Sequence, residues 1–440
     1  MPASMYKHTN QHIERPGDKA GPFCFRLSKE RDAKQKSRYF QPMQRLLLIL
    51  LVLFWQQAKA QKLVSGVVLD AEKNSPVPKA SVFLNNTSIG TTANDKGEFQ
   101  LQVPAGKYEL IVSSVGYVTS NQTITAEEVM GFLTVKLTLK APELETVVIE
   151  PYEKDGWQKW GRFFLENFIG TSALAEDCKI LNKEVIRFRY SKAANKLTAH
   201  ALEPLKIENK ALGYRIQYQL ETFEYNFGNK YMLYVGYPFF ELMDGKAKKQ
   251  NAWQQKRADV YHGSMMHFMR SVYRNTLQQE GFEVRRMKKI PNGEKARIRA
   301  MDRSSVVKNA TGNLITVGLP ESPDSVAYYQ KVRRQPDFHD IIGRDILVGD
   351  SIAFALDTVT AALSFPDYLF VRYKNGNVPK EYIQRFPDGA HAMVSYVQLL
   401  NDEVVAIQSN GMFYNPVDLI SSGYWAWSEK MATMLPFDYK

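Results

Sequence analysis

The chain has 440 residues, 44% of them hydrophobic, 12% aromatic and 23% charged, with 26 Gly and 20 Pro. This composition is globular, which excludes a collagen, a long coiled coil and a wholly disordered chain, and the length allows two or three domains. The formal net charge of +11 suggests a nucleic-acid binder only until its location is read, because residues 1–60 hold 11 Lys/Arg against 4 Asp/Glu and residues 61–440 hold 46 against 42.

Residues 1–42 are polar, rich in Gln, Lys and Arg, and without periodicity. They read as a non-native, disordered extension ahead of a true start at Met43. Met43, Gln44 and Arg45 lead into Leu46 to Trp55, an apolar run of ten, and then Gln56, Gln57, Ala58, Lys59 and Ala60. A basic start, a short apolar core and a small-x-small site form a secretory signal over 43–60, with cleavage expected after Ala60. Ten helical residues cover about 15 Å, half the hydrocarbon core of a bilayer, and no run of 18 or more apolar residues occurs, so a membrane-spanning helix is not expected. Localisation in the periplasm or at the outer membrane follows. Of the two cysteines, Cys24 leaves with the leader, so the mature chain can form no internal disulfide and Cys178 is expected to be a buried thiol.

From Gln61 onward short strands alternate with turns. Phe99, Leu101 and Val103 alternate with polar residues, as do Leu133, Val135, Leu137 and Leu139, while Asn74-Ser75-Pro76, Asn94-Asp95-Lys96-Gly97 and Pro104-Ala105-Gly106 supply reversals. The spacing predicts an antiparallel sandwich over 61–140. Gly66-Val67-Val68-Leu69-Asp70, Pro78-Lys79-Ala80-Ser81-Val82, Gly90-Thr91-Thr92, Gly97-Glu98-Phe99, Pro104-Ala105-Gly106-Lys107-Tyr108 and Ser114-Val115-Gly116-Tyr117 together resemble the carboxypeptidase regulatory-like domain. That resemblance implies a transthyretin-like Greek-key β-sandwich of the kind that accompanies exported Bacteroidetes proteins and is not itself a peptidase. Phe83 is out of phase with Val82 and Leu84, which makes it a candidate for a ligand-facing or interdomain surface.

Residues 141–155 read as an acidic linker. Within it, Leu144-Glu145-Thr146-Val147-Val148-Ile149 is similar to the segment that follows this module in TonB-dependent receptors. Too little chain remains for a plug and a large barrel, so the likeness implies an envelope setting only. Residues 156–440 read as a larger, β-rich α+β domain of unknown function. Trp157, Trp160, Phe164, Phe168 and Ile169 predict a helix; residues 185–190, 214–220 and 393–399 predict strands; residues 246–262 and 264–280 predict two helices. The segment from Ala211-Leu212-Gly213-Tyr214 to the closing Leu435-Pro436-Phe437-Asp438-Tyr439 is similar to the uncharacterised region that is paired with this sandwich in Bacteroidetes proteins, which carries no established catalytic residues.

The search for chemistry yields little. Residues 246–303 hold 15 Lys/Arg against 5 Asp/Glu; a solvated surface explains them, with an anionic surface as the functional reading and nucleic acid excluded by export. His200-Ala201-Leu202-Glu203 with the distant His339 is similar to the ligand pattern of zinc carboxypeptidases, but the motif lies in an alternating strand pattern without the βα alternation of that fold. His262 and His267 are out of phase on a helix, and His391 is isolated. There is no G-x-S-x-G elbow, phosphate-binding Gly loop or H-E-x-x-H. The expectation is a non-enzymatic envelope protein that needs no cofactor or metal, with no catalytic residue, and that binds a glycan or an envelope protein through residues the sequence does not name. The alternatives are a zinc peptidase on His200, Glu203 and His339, and a small outer-membrane barrel over 156–440.

Overall fold

The structure, a computed structural model, describes residues 62–126, 131–140, 151–304, 306–308, 314–316, 323–387, 391–400 and 404–440. The N-terminal extension, the leader with its cleavage after Ala60, and residues 141–150 of the acidic linker lie outside these. Residues 61–440 form one compact unit.

The sandwich consists of β1 (Lys62–Asp70), β2 (Ser81–Leu84), β3 (Gly90–Thr92), β4 (Glu98–Val103), β5 (Lys107–Ser113), β6 (Ser120–Thr125) and β7 (Phe132–Leu137). The sheets run β4-β1-β7 and β3-β2-β5-β6. Alternation along β4, buried at Phe99, Leu101 and Val103, faces the shared core with Val68, Leu110 and Val135. One pair departs from the antiparallel expectation, since β7 lies parallel to β1. The chain returns from β6, in the opposite sheet, to enter beside β1 from the same end. The residues that carry the family resemblance have structural duties here. Gly66 lies so close to Phe99 that a Cβ would stand 2.6 Å from its ring, and the Tyr117 hydroxyl donates to the Asp70 carboxylate at 3.0 Å.

Residues 156–440 build two further cores. Helix α1 (Gly156–Phe168) covers a six-stranded sheet of β8 (Cys178–Ile180), β9 (Ile186–Ser191), β10 (Lys196–Ala201), β11 (Leu205–Asn209), β12 (Tyr214–Asn226) and β13 (Tyr231–Leu242). β13 occupies one edge of β12 throughout, so β11 and β10 share the other edge end to end. Phe164 of the helix packs 4.7 Å from Phe223 and 5.8 Å from Phe188, ring to ring. Cys178 is buried in this core, and burial pushes its thiol up to about 12.

Helix α2 (Ala247–Tyr261) packs Val260 and Tyr261 against the second core, and the third core starts with α3 (Met265–Tyr273) and β14 (Phe282–Pro291). After α4 (Gly293–Ser304), β15 (Val306–Lys308), β16 (Leu314–Thr316) and α5 (Pro323–Arg333), the chain returns as β17 (Phe338–Ile342). β18 (Ala353–Ala355), β19 (Thr360–Leu363), β20 (Tyr368–Tyr373), α6 (Lys380–Arg385), β21 (Met393–Leu399), β22 (Val405–Gln408), β23 (Leu419–Gly423) and α7 (Tyr424–Ser428) complete it. Its sheets run β17-β14-β20-β21-β23 and β18-β19-β22. The strands of 156–440 thus fall into separate sheets around packed helices, which replaces the alternative of a single closed barrel. The second predicted helix stops at Tyr273 and does not reach residue 280. Asn275 takes φ 54°, Asn275 N–H donates to Val272 O and Thr276 N–H to Ser271 O, a left-handed ending that satisfies the last carbonyls.

The C-terminal segment joins the second and third cores and ties both to the sandwich. Trp425 and Trp427 belong to the third, Met431, Ala432 and Leu435 to the second. Phe437 N–H then donates to Asn86 O of the sandwich at 2.7 Å. Trp425, 2% exposed, donates its indole N–H to Gly263 O at 2.8 Å. Trp425→Ala is expected to cost about 3–5 kcal/mol, through a cavity and an orphaned carbonyl. Lys159→Ala, which removes an exposed ion pair with Glu153, should cost no more than about 1 kcal/mol. Urea unfolding of the two variants checks the contrast.

Candidate functional site

Where the sandwich meets the later sheets, the turn after β2 is held from two sides. Asn86 N–H donates to Pro238 O at 2.9 Å, and Phe240 N–H donates to Thr87 O at 3.0 Å. Ser88 donates its backbone N–H to Asp438 Oδ1 at 3.0 Å and its hydroxyl to Oδ2 of the same carboxylate. Phe83, 3% exposed, stacks 5.3 Å from Phe239. The out-of-phase phenylalanine therefore marks a seam inside the protein. Gly90 completes the fit, because a Cβ there would stand 2.4 Å from the Phe239 ring.

Beside this seam lies a cavity of about 400 Å³, a size usual for small-ligand sites. The sandwich contributes Asn85, Asn86, Glu109 and Asn121; the later sheets contribute Tyr234, Tyr237, Met265, Met412 and Tyr414; the C-terminal segment contributes Glu429 and Lys430. Asn85 Nδ2 donates to Glu109 Oε2 at 2.6 Å, and Asn121 Nδ2 to the Tyr237 hydroxyl at 3.3 Å. Asn85 Oδ1, Asn86 Oδ1 and the Tyr414 hydroxyl are buried without a hydrogen-bond partner in the protein. Burial pushes the Tyr414 hydroxyl well above the usual phenol range. All three atoms are closed off from solvent, so they lie behind the cavity wall and not on its surface.

Glu429 separates this cavity from a second one of about 720 Å³, lined by Asp259, His262, Tyr373 and Glu381. Its Oε1 accepts from Met265 N–H, the first residue of α3, at 3.1 Å. Burial raises its carboxyl to about 7, against the lowering by that N–H and by Lys430. Lys430, 8% exposed, has Met232 Sδ at 4.0 Å and the Tyr234 ring centroid at 5.9 Å. Burial lowers its ammonium to about 8, opposed by Glu429. The pair sits nearly neutral at physiological pH.

The histidines do not assemble a catalytic base. His262 and His267 are not on one helix: Gly263, at φ +82°, separates α2 from α3 and brings the rings to 5.4 Å. His267 Nδ1 accepts from Gly263 N–H at 3.1 Å and Nε2 lies 3.2 Å from Glu280 Oε2, so both ring nitrogens are engaged. Burial lowers its pKa, with Glu280 opposing. The zinc alternative fares no better. His200 and Glu203 lie on β10 and the turn after it in the six-stranded sheet, and His339 lies on the exposed edge strand β17 of another sheet. Among the described residues no group of three or more His, Cys, Asp or Glu could hold a metal ion. His391 is exposed.

Residues 246–303 are not a uniform basic face. Arg257 donates to Leu212 O and Gly213 O and lies over the Tyr214 ring. Arg270 donates to Asn410 O, Phe437 O and Tyr439 O, which clamps the C-terminal segment. Lys295 and Arg299 share Asp337, Arg297 pairs with Glu294, and Arg285 with Glu283. Sequence reasoning passed over Asn85, Asn86, Tyr414, Glu429 and Lys430. One signal was present: an acid and a base directly after Tyr424-Trp425-Ala426-Trp427-Ser428, an aromatic stretch that had to be buried.

Residues 64–149 match the family model of the CarboxypepD_reg-like domain. The sandwich is a CarboxypepD_reg-like domain. The chain is 30% identical over 108 residues to TonB-dependent receptor P3 of Formosa agariphila, 24% of this chain and 10% of that protein. It is 33% identical over 75 residues to carboxypeptidase E of Caenorhabditis elegans, 16% of each chain. It thus spans a sixth or less of the length of these curated relatives. Among solved structures, DUF3823 family proteins of Bacteroides ovatus and Parabacteroides merdae match 42% and 44% of this chain and 83% and 85% of their own, at 13% and 10% identity and TM-scores of 0.15 and 0.14. Likeness at that level carries no argument. No helix among the described residues is long and apolar enough to cross a membrane.

Glu429 gives the site a pH signature. Its carboxyl titrates near 7 when folded and near 4.5 when unfolded, so the unfolded chain binds fewer protons between these values and stability falls as pH rises through that window. For Lys430, lowered to about 8 from 10.5, stability recovers as pH rises from about 8 to 10.5. Glu429→Gln should remove the fall between pH 4.5 and 7, which chemical denaturation across that range measures.

Proposed function

We propose that this protein is an exported, non-catalytic binding module of a bacterial cell envelope, which takes a glycan or a segment of an envelope protein at the seam between its CarboxypepD_reg-like domain and the later sheets. The observation that carries this reading is the seam cavity itself. Both parts of the chain line it, with amide, carboxylate and phenol side chains beside methionines and Phe413.

The envelope setting is supported by three strands: the secretory pattern of residues 43–60, the domain match, and a relative that is a TonB-dependent receptor. The non-catalytic reading is supported by the engagement of both His267 nitrogens and by the separation of His200 and Glu203 from His339 onto different sheets.

Fractionation of the native host with N-terminal sequencing tests the setting. The expected result is a periplasmic or membrane-associated protein that begins at Gln61; a cytosolic protein that retains residues 1–60 would overturn it. Elemental analysis tests the chemistry. Zinc well below one equivalent, unchanged by His200→Ala, is expected, whereas stoichiometric zinc lost in that variant would restore the peptidase.

A further inference from the structure

We propose that the larger cavity, about 720 Å³ and separate from the seam cavity, binds an organic cation. The ligand is a primary ammonium group on an aliphatic stem, held by the carboxylates of Asp259, Glu381 and Glu429 and by the hydroxyls of Tyr373 and Tyr424. This is a second site, and it does not depend on what the seam cavity takes.

The charges in the lining are of one sign. Asp259, Glu381 and Glu429 line the cavity, and among the described residues no Lys or Arg does. Lysines are nevertheless adjacent in the chain: Lys374 follows Tyr373, Lys380 precedes Glu381, and Lys430 follows Glu429. Lys374 and Lys380 are exposed, and Lys430 lines the seam cavity instead. Arg257 and Arg270 are engaged with backbone carbonyls elsewhere. The one imidazole in the lining, His262, is exposed, as is Asp259, whereas Glu381 and Glu429 are half-buried.

The polar groups of this lining are open to a ligand. Tyr373 and Tyr424 are only 6% and 8% exposed. Neither hydroxyl has a hydrogen-bond partner among the described residues, and neither is sealed off from solvent. For side chains buried to this extent, the space their hydroxyls reach is the cavity they line. Glu429 uses Oε1 for Met265 N–H, while Oε2 has no partner among the described residues and is likewise not sealed. The Tyr424 hydroxyl is within electrostatic reach of both Glu381 and Glu429, which brings two acids and a phenol to one part of the lining.

An ammonium group has three donors and no acceptor, which matches carboxylates that only accept and hydroxyls that can. An anion would meet like charge. A bare metal ion needs ligands converging on one point, and among the described residues no group of three or more acids or histidines does so. Met393 and the rings of Tyr373 and Trp427 offer apolar surface to the stem, and such rings also attract cations. The charge argument stands on Asp259 and Glu381 alone. Burial disfavours the charge on Glu429, and an ammonium beside Oε2 offsets that.

Isothermal titration of the full chain with cadaverine and with a lysine blocked at both backbone ends, against pentanediol and glutarate as neutral and anionic counterparts, tests the class. Saturable binding of at least one amine is expected, with pentanediol and glutarate each at least about tenfold weaker. Tighter binding of cadaverine assigns the site to a free diamine, and tighter binding of the blocked lysine assigns it to a protein side chain. Glu381→Gln and Tyr424→Phe should each weaken the better amine about fivefold to tenfold, as the loss of one hydrogen bond to a charged group does. Melting curves confirm that the variants fold, and Tyr424→Phe keeps the test decisive because it removes a hydroxyl that no described group in the protein uses. No saturable heat with either amine would overturn the inference, as would pentanediol or glutarate binding as tightly as the amines, or affinity unchanged in Tyr424→Phe. Such a failure leaves the envelope reading standing, since fractionation and metal content test that separately.

Discussion

Two hydrophobic cores and the edge of the sandwich share one closing segment, and the positions of everything else depend on it. Residues 424–439 deliver Trp425 and Trp427 to one core, Met431 and Leu435 to another, and the Phe437 N–H and Asp438 carboxylate to the sandwich. A segment that serves two cores and is bonded to the sandwich cannot move with respect to one without disturbing the others. Arg270 fixes the far end through the carbonyls of Phe437 and Tyr439. The later sheets therefore stand at a defined distance from the sandwich, and the gap between them becomes a cavity with fixed walls instead of a hinge.

The same segment brings an acid and a base into low-dielectric surroundings, at a cost in desolvation that their mutual attraction only partly offsets. Burial is the largest influence on both groups, and it moves them toward neutrality from opposite sides. Glu429 also caps α3 from outside the helix, through Met265 N–H, where the helix dipole favours its charged form. A buried pair balanced in this way is less a stabilising ion bridge than a lining of adjustable polarity. Glu429 lines both cavities, whereas Lys430 lines the seam cavity and not the larger one.

Local patterning was a good guide wherever one neighbour decides a residue's fate. The alternation at Phe99, Leu101 and Val103 became β4, and Trp157 to Phe168 became α1, because a half-buried strand and a one-faced helix each need only a single apolar partner. It was a poor guide to junctions. Residues 264–280 kept apolar periodicity past Tyr273 because Leu277 is buried too, although Asn275 had already ended the helix. His262 and His267 read as out of phase on a helix because a glycine reversal, not helical phase, sets their distance. The basic count over 246–303 looked like a surface because the carbonyls that Arg257 and Arg270 bind lie far away in the chain.

The sandwich, its family, the β-rich character of residues 156–440 and the burial of Cys178 were legible in the amino-acid order alone, since these rest on period, turn residues and hydrophobicity that are written locally. It took the folded chain to establish that Phe83 meets Phe239, and that Asn86, Tyr414, Glu429 and Lys430 are all among the residues lining one cavity. These are meetings between residues up to several hundred positions apart. Polar side chains such as these carry no periodic signature, and whether one is solvated, paired or left unsatisfied depends on which distant backbone arrives beside it.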